Sequence, residues 1–228
     1  VPAPLTHHDS IETLPAGPLF LIANEFFDAL PVRQFQRDGS GWRERVVGLS
    51  DGALSLGLAD PSNPAMLEHR KSDTEEGQIV EFSASAASIA NDIGVRIDRD
   101  GGVAIVIDYG DWHSLGDTLQ AVRGHEAADI LDAPGTADLT AHVDFEALAE
   151  AVSPAAFTRV VPQGVFLERL GITARANALA ATVTGAGLDA VTSAHRRLTH
   201  PQEMGNLFKA MAIHRASDQV PPGFSHDT

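Results

Sequence analysis

The chain has 228 residues, 43% of them hydrophobic and 21% charged, and it contains no cysteine. Its 16 basic and 31 acidic residues leave a net charge of −15 at pH 7, which disfavours nucleic acid and anionic membrane as partners, because phosphate binding needs a basic surface. The lack of cysteine excludes disulfides, thiolate metal sites and a cysteine nucleophile, and no apolar run approaches the roughly 20 residues of a membrane-spanning helix.

The first predicted element is a strand over Leu19 to Asn24, an apolar run that breaks into Asn24-Glu25-Phe26-Phe27-Asp28. Such a run suits a strand covered on both faces, as in a parallel sheet. Open α/β sheets place their ligands at the carboxyl ends of such strands. A short turn or helix ends near Pro31. Residues 32–60 alternate apolar and polar positions between the turn signals at Asp38-Gly39 and Asp51-Gly52, which predicts a β-meander of about three strands. Asp60 to Pro64 reads as a loop and Gln78 to Phe82 as a short strand. Ala84 to Ile97 reads as a helix, with Ile89, Ile93 and Ile97 spaced by four.

Gly101 to Gly110 is a second buried strand, ending on Asp108 and Tyr109. Residues 111–143 show no periodicity and are expected to form a long loop. A helix is expected over Asp144 to Val152, capped by Asp144 and stopped by Pro154. Further helices are expected at Gln163 to Leu170, Thr173 to Ala181 and Leu188 to Leu198, with a last strand over Phe208 to His214. The order of elements predicts an α/β fold with an antiparallel insertion.

Several chemical signatures are absent, including GxGxxG, the Walker loop, GxSxG and HExxH. The remaining candidates follow the two buried strands. Asn24 and Glu25 could hold a cationic or polar substrate group, or simply cap and complement a helix start. Asp28 could satisfy turn amides. His125, Asp129, His142 and Asp144 are ligand types for zinc or iron. Against that, Asp144 already caps a helix and Arg123 would repel a nearby cation. Asp138, Thr140 and His142 fit a role in fastening the loop by hydrogen bonds.

Five ordered stretches, GPLFLIANEFFDALPVRQF, LQAVRGH, ADLTAHVDF, PQGVFLERLGI and MGNLFKAMAI, together resemble the MidA family. These are class I S-adenosylmethionine-dependent methyltransferases, and one of them is a mitochondrial assembly factor that methylates an arginine in a subunit of respiratory complex I. The resemblance runs from about His8 to Phe224. It implies a Rossmann-like sheet, S-adenosylmethionine as cofactor and a protein substrate presenting an arginine, with a complex I subunit as the candidate. The setting would be the cytoplasm of a bacterium or the mitochondrial matrix of a eukaryote.

Family members also carry a long N-terminal segment with a glycine-rich cofactor loop and an acidic ribose ligand. By this comparison the chain holds the carboxyl half of one methyltransferase domain, and its exposed sheet edge predicts association, with a homodimer as the expected form. Residues 32–60 would be the meander insertion, 111–143 a substrate-side loop and 144–200 a helical region. The stretch His7 to Pro15 resembles the segment that contacts the adenine, which makes Asp9 and Ser10 the expected cofactor-binding residues.

Glu25 and Asn24 are the expected catalytic pair, since a carboxylate can hold a planar guanidinium through two hydrogen bonds and localise its charge. Asp28, Asp108, Tyr109, His125 and His142 are the expected substrate-side residues, with the two histidines as proton acceptors. Phe26 and Phe27 would wall the site or anchor the turn in the core. Two rival functions are a non-catalytic assembly or interaction factor and a metal-dependent hydrolase using His125 and His142.

Overall fold

The computed structural model describes residues 5–224. The first half contains β1 (Leu19–Asn24), β2 (Arg33–Asp38), β3 (Gly41–Ser50), β4 (Ala53–Leu58), β5 (Ile79–Phe82), α1 (Ala84–Asp100) and β6 (Gly102–Asp111). The second contains β7 (Gln120–Arg123), β8 (Glu126–Ala128), β9 (Asp138–Thr140), β10 (Val143–Asp144), α2 (Phe145–Ala151), β11 (Ala156–Phe157) and β12 (Val161–Pro162). It continues through α3 (Gln163–Arg169), α4 (Ile172–Ala180), α5 (Ala186–Thr199), α6 (Met204–Leu207) and β13 (Phe208–His214).

The main sheet is mixed, in the order β1-β6-β13-β11, with β10 extending along β6 and β12 along β13. β1 and β6 run parallel, from Leu19 opposite Gly102 to Asn24 opposite Ile107. β13 runs antiparallel to β6 along its whole length. Parallel strands need a crossover, and α1 supplies it. Ser83 caps that helix by accepting the Ala86 amide at 3.2 Å. Its buried stripe, Ala86, Ala90, Ile93, Gly94 and Ile97, follows the helical period and faces the sheet.

Ile93, Ile97, Ala104, Val106, Phe145, Val152, Met211 and Ile213 form the centre of the main core. Each fully buried large aliphatic chain there stabilises the fold by roughly 1.5–3 kcal/mol. Gly94 lets the end of α2 approach α1, since a Cβ there would lie 1.9 Å from the Val152 carbonyl oxygen.

β1 is covered on one face only. Leu19 and Ala23 are buried, whereas Phe20 and Ile22 on the opposite face are 79% and 73% exposed. β1 also ends the sheet, so its outer backbone edge has no strand partner among the described residues. The apolar run was expected to be covered on both faces, and among the described residues nothing covers the second.

Between β1 and α1 lies a four-stranded antiparallel sheet in the order β4-β3-β2-β5. The strand at Gln78 to Phe82 therefore belongs to the meander, pairing with β2 from Arg33↔Phe82 to Gln36↔Ile79. Phe35, Trp42, Leu67 and Val80 give this sheet its own small core. The β3–β4 hairpin runs beyond that core, and Val47, Leu49, Leu54, Leu56 and Leu58 are exposed along it.

The 111–143 segment differs from the expected loop. It holds a three-stranded antiparallel sheet in the order β8-β7-β9. Strands of three or four residues offer too few positions for alternation to stand out, so the segment looked aperiodic. The helical region likewise contains the short strands β11 and β12, which pair with β13.

A cluster of charges around buried Arg70 ties the insertion to α2. Arg70 has its guanidinium 3.1 Å from Asp73 and 3.3 Å from Asp144, and donates to the Ser114 carbonyl at 2.9 Å. His113 bridges the same elements, with Nδ1 2.6 Å from Glu146 and Nε2 against Asp73. Burial opposes the imidazolium, but Glu146 and Asp73 outweigh it and raise the His113 pKa above its ordinary value of 6.5. Asp144 is pushed up by burial, although the Ala147 amide, Arg70 and the Ser114 amide favour its charge.

A raised histidine pKa contributes stability that is complete below the unfolded value and lost as pH rises through the folded one. Thermal unfolding of the protein and of His113→Gln, compared from pH 5.5 to 8.5, is therefore expected to show a gap that is widest at low pH. The gap should close as pH rises past 6.5 and through the raised value. A pH-independent gap would remove His113 from this role.

Candidate functional site

β1 ends opposite Ile107 while β6 runs on to Asp111, and the chain leaves β1 through a turn that the sheet itself holds. The Glu25 amide continues the ladder by donating to the Ile107 carbonyl at 3.0 Å. Glu25 then adopts a left-handed backbone, with φ of +49°. For a residue with a Cβ this costs on the order of 1–3 kcal/mol and persists only where its surroundings enforce it.

Asp108 enforces it. Its Oδ2 accepts the amides of Phe26, Phe27 and Asp28 at 3.2, 3.0 and 3.3 Å, and its Oδ1 accepts the Tyr109 amide at 3.1 Å. Asp108 has no exposed surface, so its expected place on the substrate side becomes a place beneath the turn. Burial and neighbouring Asp28 push its carboxyl up to about 7, against backbone amides that favour the charge. From the other side, the Ala141 amide donates to the Asp28 carbonyl at 3.0 Å.

Phe27 is buried in the main core, while Phe26 packs edge-on against it at 5.2 Å and remains 43% exposed. Asn24 and Glu25 are exposed, with the Asn24 amide nitrogen 3.4 Å from Glu25 Oε1.

The 8–14 segment lies against this turn. Ser10 caps a single 3-10 turn over Ile11–Thr13, accepting the Glu12 amide at 3.2 Å. Thr13 donates to the Ser10 carbonyl at 2.7 Å, and its hydroxyl lies 3.0 Å from His8 Nδ1. The Ser10 hydroxyl thus has a structural task, whereas the Asp9 side chain is exposed.

A cleft of about 640 Å³ opens between the 8–14 segment, the carboxyl end of β1 and α1. Asp9, Ser10, Asn24 and Glu25 all line it, so the expected cofactor and catalytic residues share one space. Leu21, Ala23, Ile89 and Ile93 give it an apolar wall. Asp9, Glu12, Glu25 and Asp92 give it four carboxylates, and among the described residues His8 lines it but no lysine, arginine or glycine does. Such a surface attracts cations. Glu12 and Asp92 were not anticipated, because Asp92 reaches the cleft only once α1 has packed on β1.

The remaining expected residues lie elsewhere. Asp28 is buried under the turn, and its Oδ1 makes no hydrogen bond among the described residues. The Tyr109 hydroxyl neighbours Thr140, Asp28 and Gln120, and burial pushes its pKa up to about 12. The Tyr109 ring meets His142 edge-on at 5.4 Å.

His142 lines a separate cleft of about 640 Å³ with Gly110, Asp111, His113, Asn206 and Lys209. His125 sits at the tip of the β7–β8 hairpin, exposed, with φ of +70°, and lines neither cleft. Its place is that of a turn residue. Among the described residues no three His, Asp or Glu side chains are grouped to hold a metal ion, and no helix is long and apolar enough to cross a membrane.

S-adenosylmethionine fits this cleft in part. The apolar wall suits an adenine ring and the carboxylates suit amino, hydroxyl and sulfonium groups. The methionine carboxylate needs amide or cationic donors, and among the described residues the lining offers His8 but no lysine, arginine or glycine turn.

Comparison with known proteins accords with this geometry. A family described as "Putative S-adenosyl-L-methionine-dependent methyltransferase" matches residues 1–162. The mitochondrial protein arginine methyltransferase NDUFAF7 of Danio rerio is 33% identical over 223 residues, covering 92% of this chain and 50% of its own length. The Drosophila melanogaster homolog is 34% identical over 215 residues, covering 90% of this chain and 49% of its own.

A Burkholderia thailandensis protein solved with S-adenosyl-homocysteine bound superposes with a TM-score of 0.79 and 28% identity, covering 95% of this chain and 58% of that one. The chain therefore spans about half the length of the curated relatives it matches. With its first 162 residues matched and its sheet shared with a solved relative, the chain belongs to this family of S-adenosylmethionine-dependent methyltransferases.

Proposed function

We propose that the chain forms the substrate-side part of a protein-arginine methyltransferase, with the guanidinium held at Asn24 and Glu25. The observation that carries this reading is the cleft itself. It sets Glu25, on a turn pinned by Asp108, among four carboxylates and no lysine or arginine. A cleft of that charge favours a guanidinium and a sulfonium alike. The names of the relatives support arginine as the target.

When bound, S-adenosylmethionine supplies an electrophilic methyl group on a cationic sulfur. The chain's own residues position the nucleophile. Glu25 accepts two hydrogen bonds from the guanidinium and draws its positive charge toward one side, freeing electron density on the opposite nitrogen. Asn24 orients the same group through its amide oxygen, and the exposed part of Phe26 flanks it. Asp9 faces the adenosyl end. The cofactor's methionine end lies beyond what this lining can hold, and we assign it to the part of the longer relatives outside the matched region.

On the family resemblance, the protein substrate is a subunit of respiratory complex I. The compartment is then the cytoplasm of a bacterium or the mitochondrial matrix of a eukaryote. The exposed apolar face of the β3–β4 hairpin favours a second reading, in which the protein acts through binding alone as an assembly factor.

Three measurements test these assignments. In the full-length protein, Glu25→Gln keeps the side chain's size and removes its charge. A charge-assisted hydrogen bond is worth about 1.5–3 kcal/mol, so methyl transfer is expected to fall roughly 10- to 100-fold with cofactor affinity little changed. Unaltered turnover would take Glu25 out of the active site and favour the binding role.

Isothermal titration of the 228-residue chain with S-adenosylmethionine is expected to give binding weaker than micromolar. A micromolar or tighter constant would mean that the cleft suffices alone. The bare edge of β1 and its exposed Phe20 and Ile22 favour self-association of this chain. Sedimentation is expected to show a homodimer, and a monomer at all concentrations would reject it.

A further inference from the structure

We propose that Asp108 is a positioning residue for methyl transfer, gathering three successive amides onto one carboxylate oxygen so that Asn24 and Glu25 face the cleft. The inference rests on the assignment of Glu25 to the substrate guanidinium.

Several features carry it together. The turn begins with a left-handed glutamate, a conformation the backbone does not favour unaided. The amides of Phe26, Phe27 and Asp28 would otherwise be left without partners, because β1 has ended and no helix follows at once. One oxygen of Asp108 satisfies all three within 3.3 Å. Its other oxygen accepts Tyr109's amide, which fixes the carboxylate plane. Asp108 is wholly buried, so it cannot itself meet a substrate, and its effect must pass through the turn.

Asparagine at position 108 would retain one acceptor oxygen but present an NH2 group to the opposing amide donors. With the oxygen toward the turn, the NH2 faces the Tyr109 amide; with the group reversed, it faces three amides. Either arrangement loosens the turn without changing the size of the side chain.

The test is a double-mutant cycle in the full-length protein, with Asp108→Asn, Glu25→Gln and the pair assayed on an arginine-containing peptide. Asp108→Asn is expected to lower kcat about 10- to 100-fold, as misplacement of a catalytic group does, with peptide KM and the S-adenosylmethionine dissociation constant within about threefold of wild type. In the Glu25→Gln background the same change should cost less than about threefold, because the group it positions has already been disabled.

Full additivity, or an Asp108→Asn enzyme with normal kcat, would overturn the positioning role while leaving Glu25 in place. A Glu25→Gln enzyme with normal turnover would overturn the assignment of Glu25 and this inference with it. Wild-type hydrogen exchange gives an independent reading should Asp108→Asn not fold. The Phe26 and Phe27 amides are expected to be protected like those of β6, and exchange as fast as in the exposed β3–β4 turn would overturn the proposal.

Discussion

Asp108 does at the end of β1 what the ladder does along its length. Strands β1 and β6 pair through backbone groups as far as Ile107, and one position later a side chain takes over. The substitution matters because a ladder holds a chain straight, whereas a carboxylate can gather amides that converge as the chain bends. The sharp exit from β1, the exposure of Asn24 and Glu25 and the burial of Phe27 all depend on it. Four amides favour its charge, while burial and Asp28 oppose it and push its carboxyl up to about 7.

The cleft in front of the turn gains its character from three separate stretches of chain. β1 contributes its end, the 8–14 segment a rim and α1 a wall. The 8–14 segment carries Asp9 and Glu12, the end of β1 carries Glu25, and α1 mixes Asp92, Asp98 and Asp100 with Arg96 and Arg99. Their carboxylates accumulate only when the crossover brings α1 beside β1, so the local field is a property of the fold. The apolar lining matters equally, since charges beside a low-dielectric wall act more strongly than the same charges in water.

Much of the architecture could be read from the residues. The strand at Leu19 that ends on Asn24, the helix with isoleucines spaced by four and the strand that carries Asp108 appear where patterning placed them. Asp9, Ser10, Asn24 and Glu25, singled out in the sequence, line one cleft. Other features were not legible. Asp108 looked like a ligand-binding acid because it sits at a strand end, and only its buried hydrogen bonds reveal the turn above it. His125 drew attention by residue type, yet Gly124 and His125 both have positive φ and form a hairpin tip. The small sheet around β7 consists of strands too short to show a period.

The insertion has a bearing on how the protein folds. Leu19 pairs with Gly102, a separation of 83 residues (102 − 19) that must be closed before the parallel pair can form. An ordinary crossover of about 30 residues would be shorter, but closure entropy grows only with the logarithm of length, so the added cost is about 0.9 kcal/mol. The kinetic burden is heavier, because distant pairings slow the search for the native topology. The meander offers a short cut. Arg33 lies opposite Phe82, so once β2 and β5 have joined, some fifty residues occupy a single point along the path. The remaining chain from Asn24 to Ser83 then behaves as a much shorter connection, and an insertion that lengthens the polypeptide need not lengthen the search.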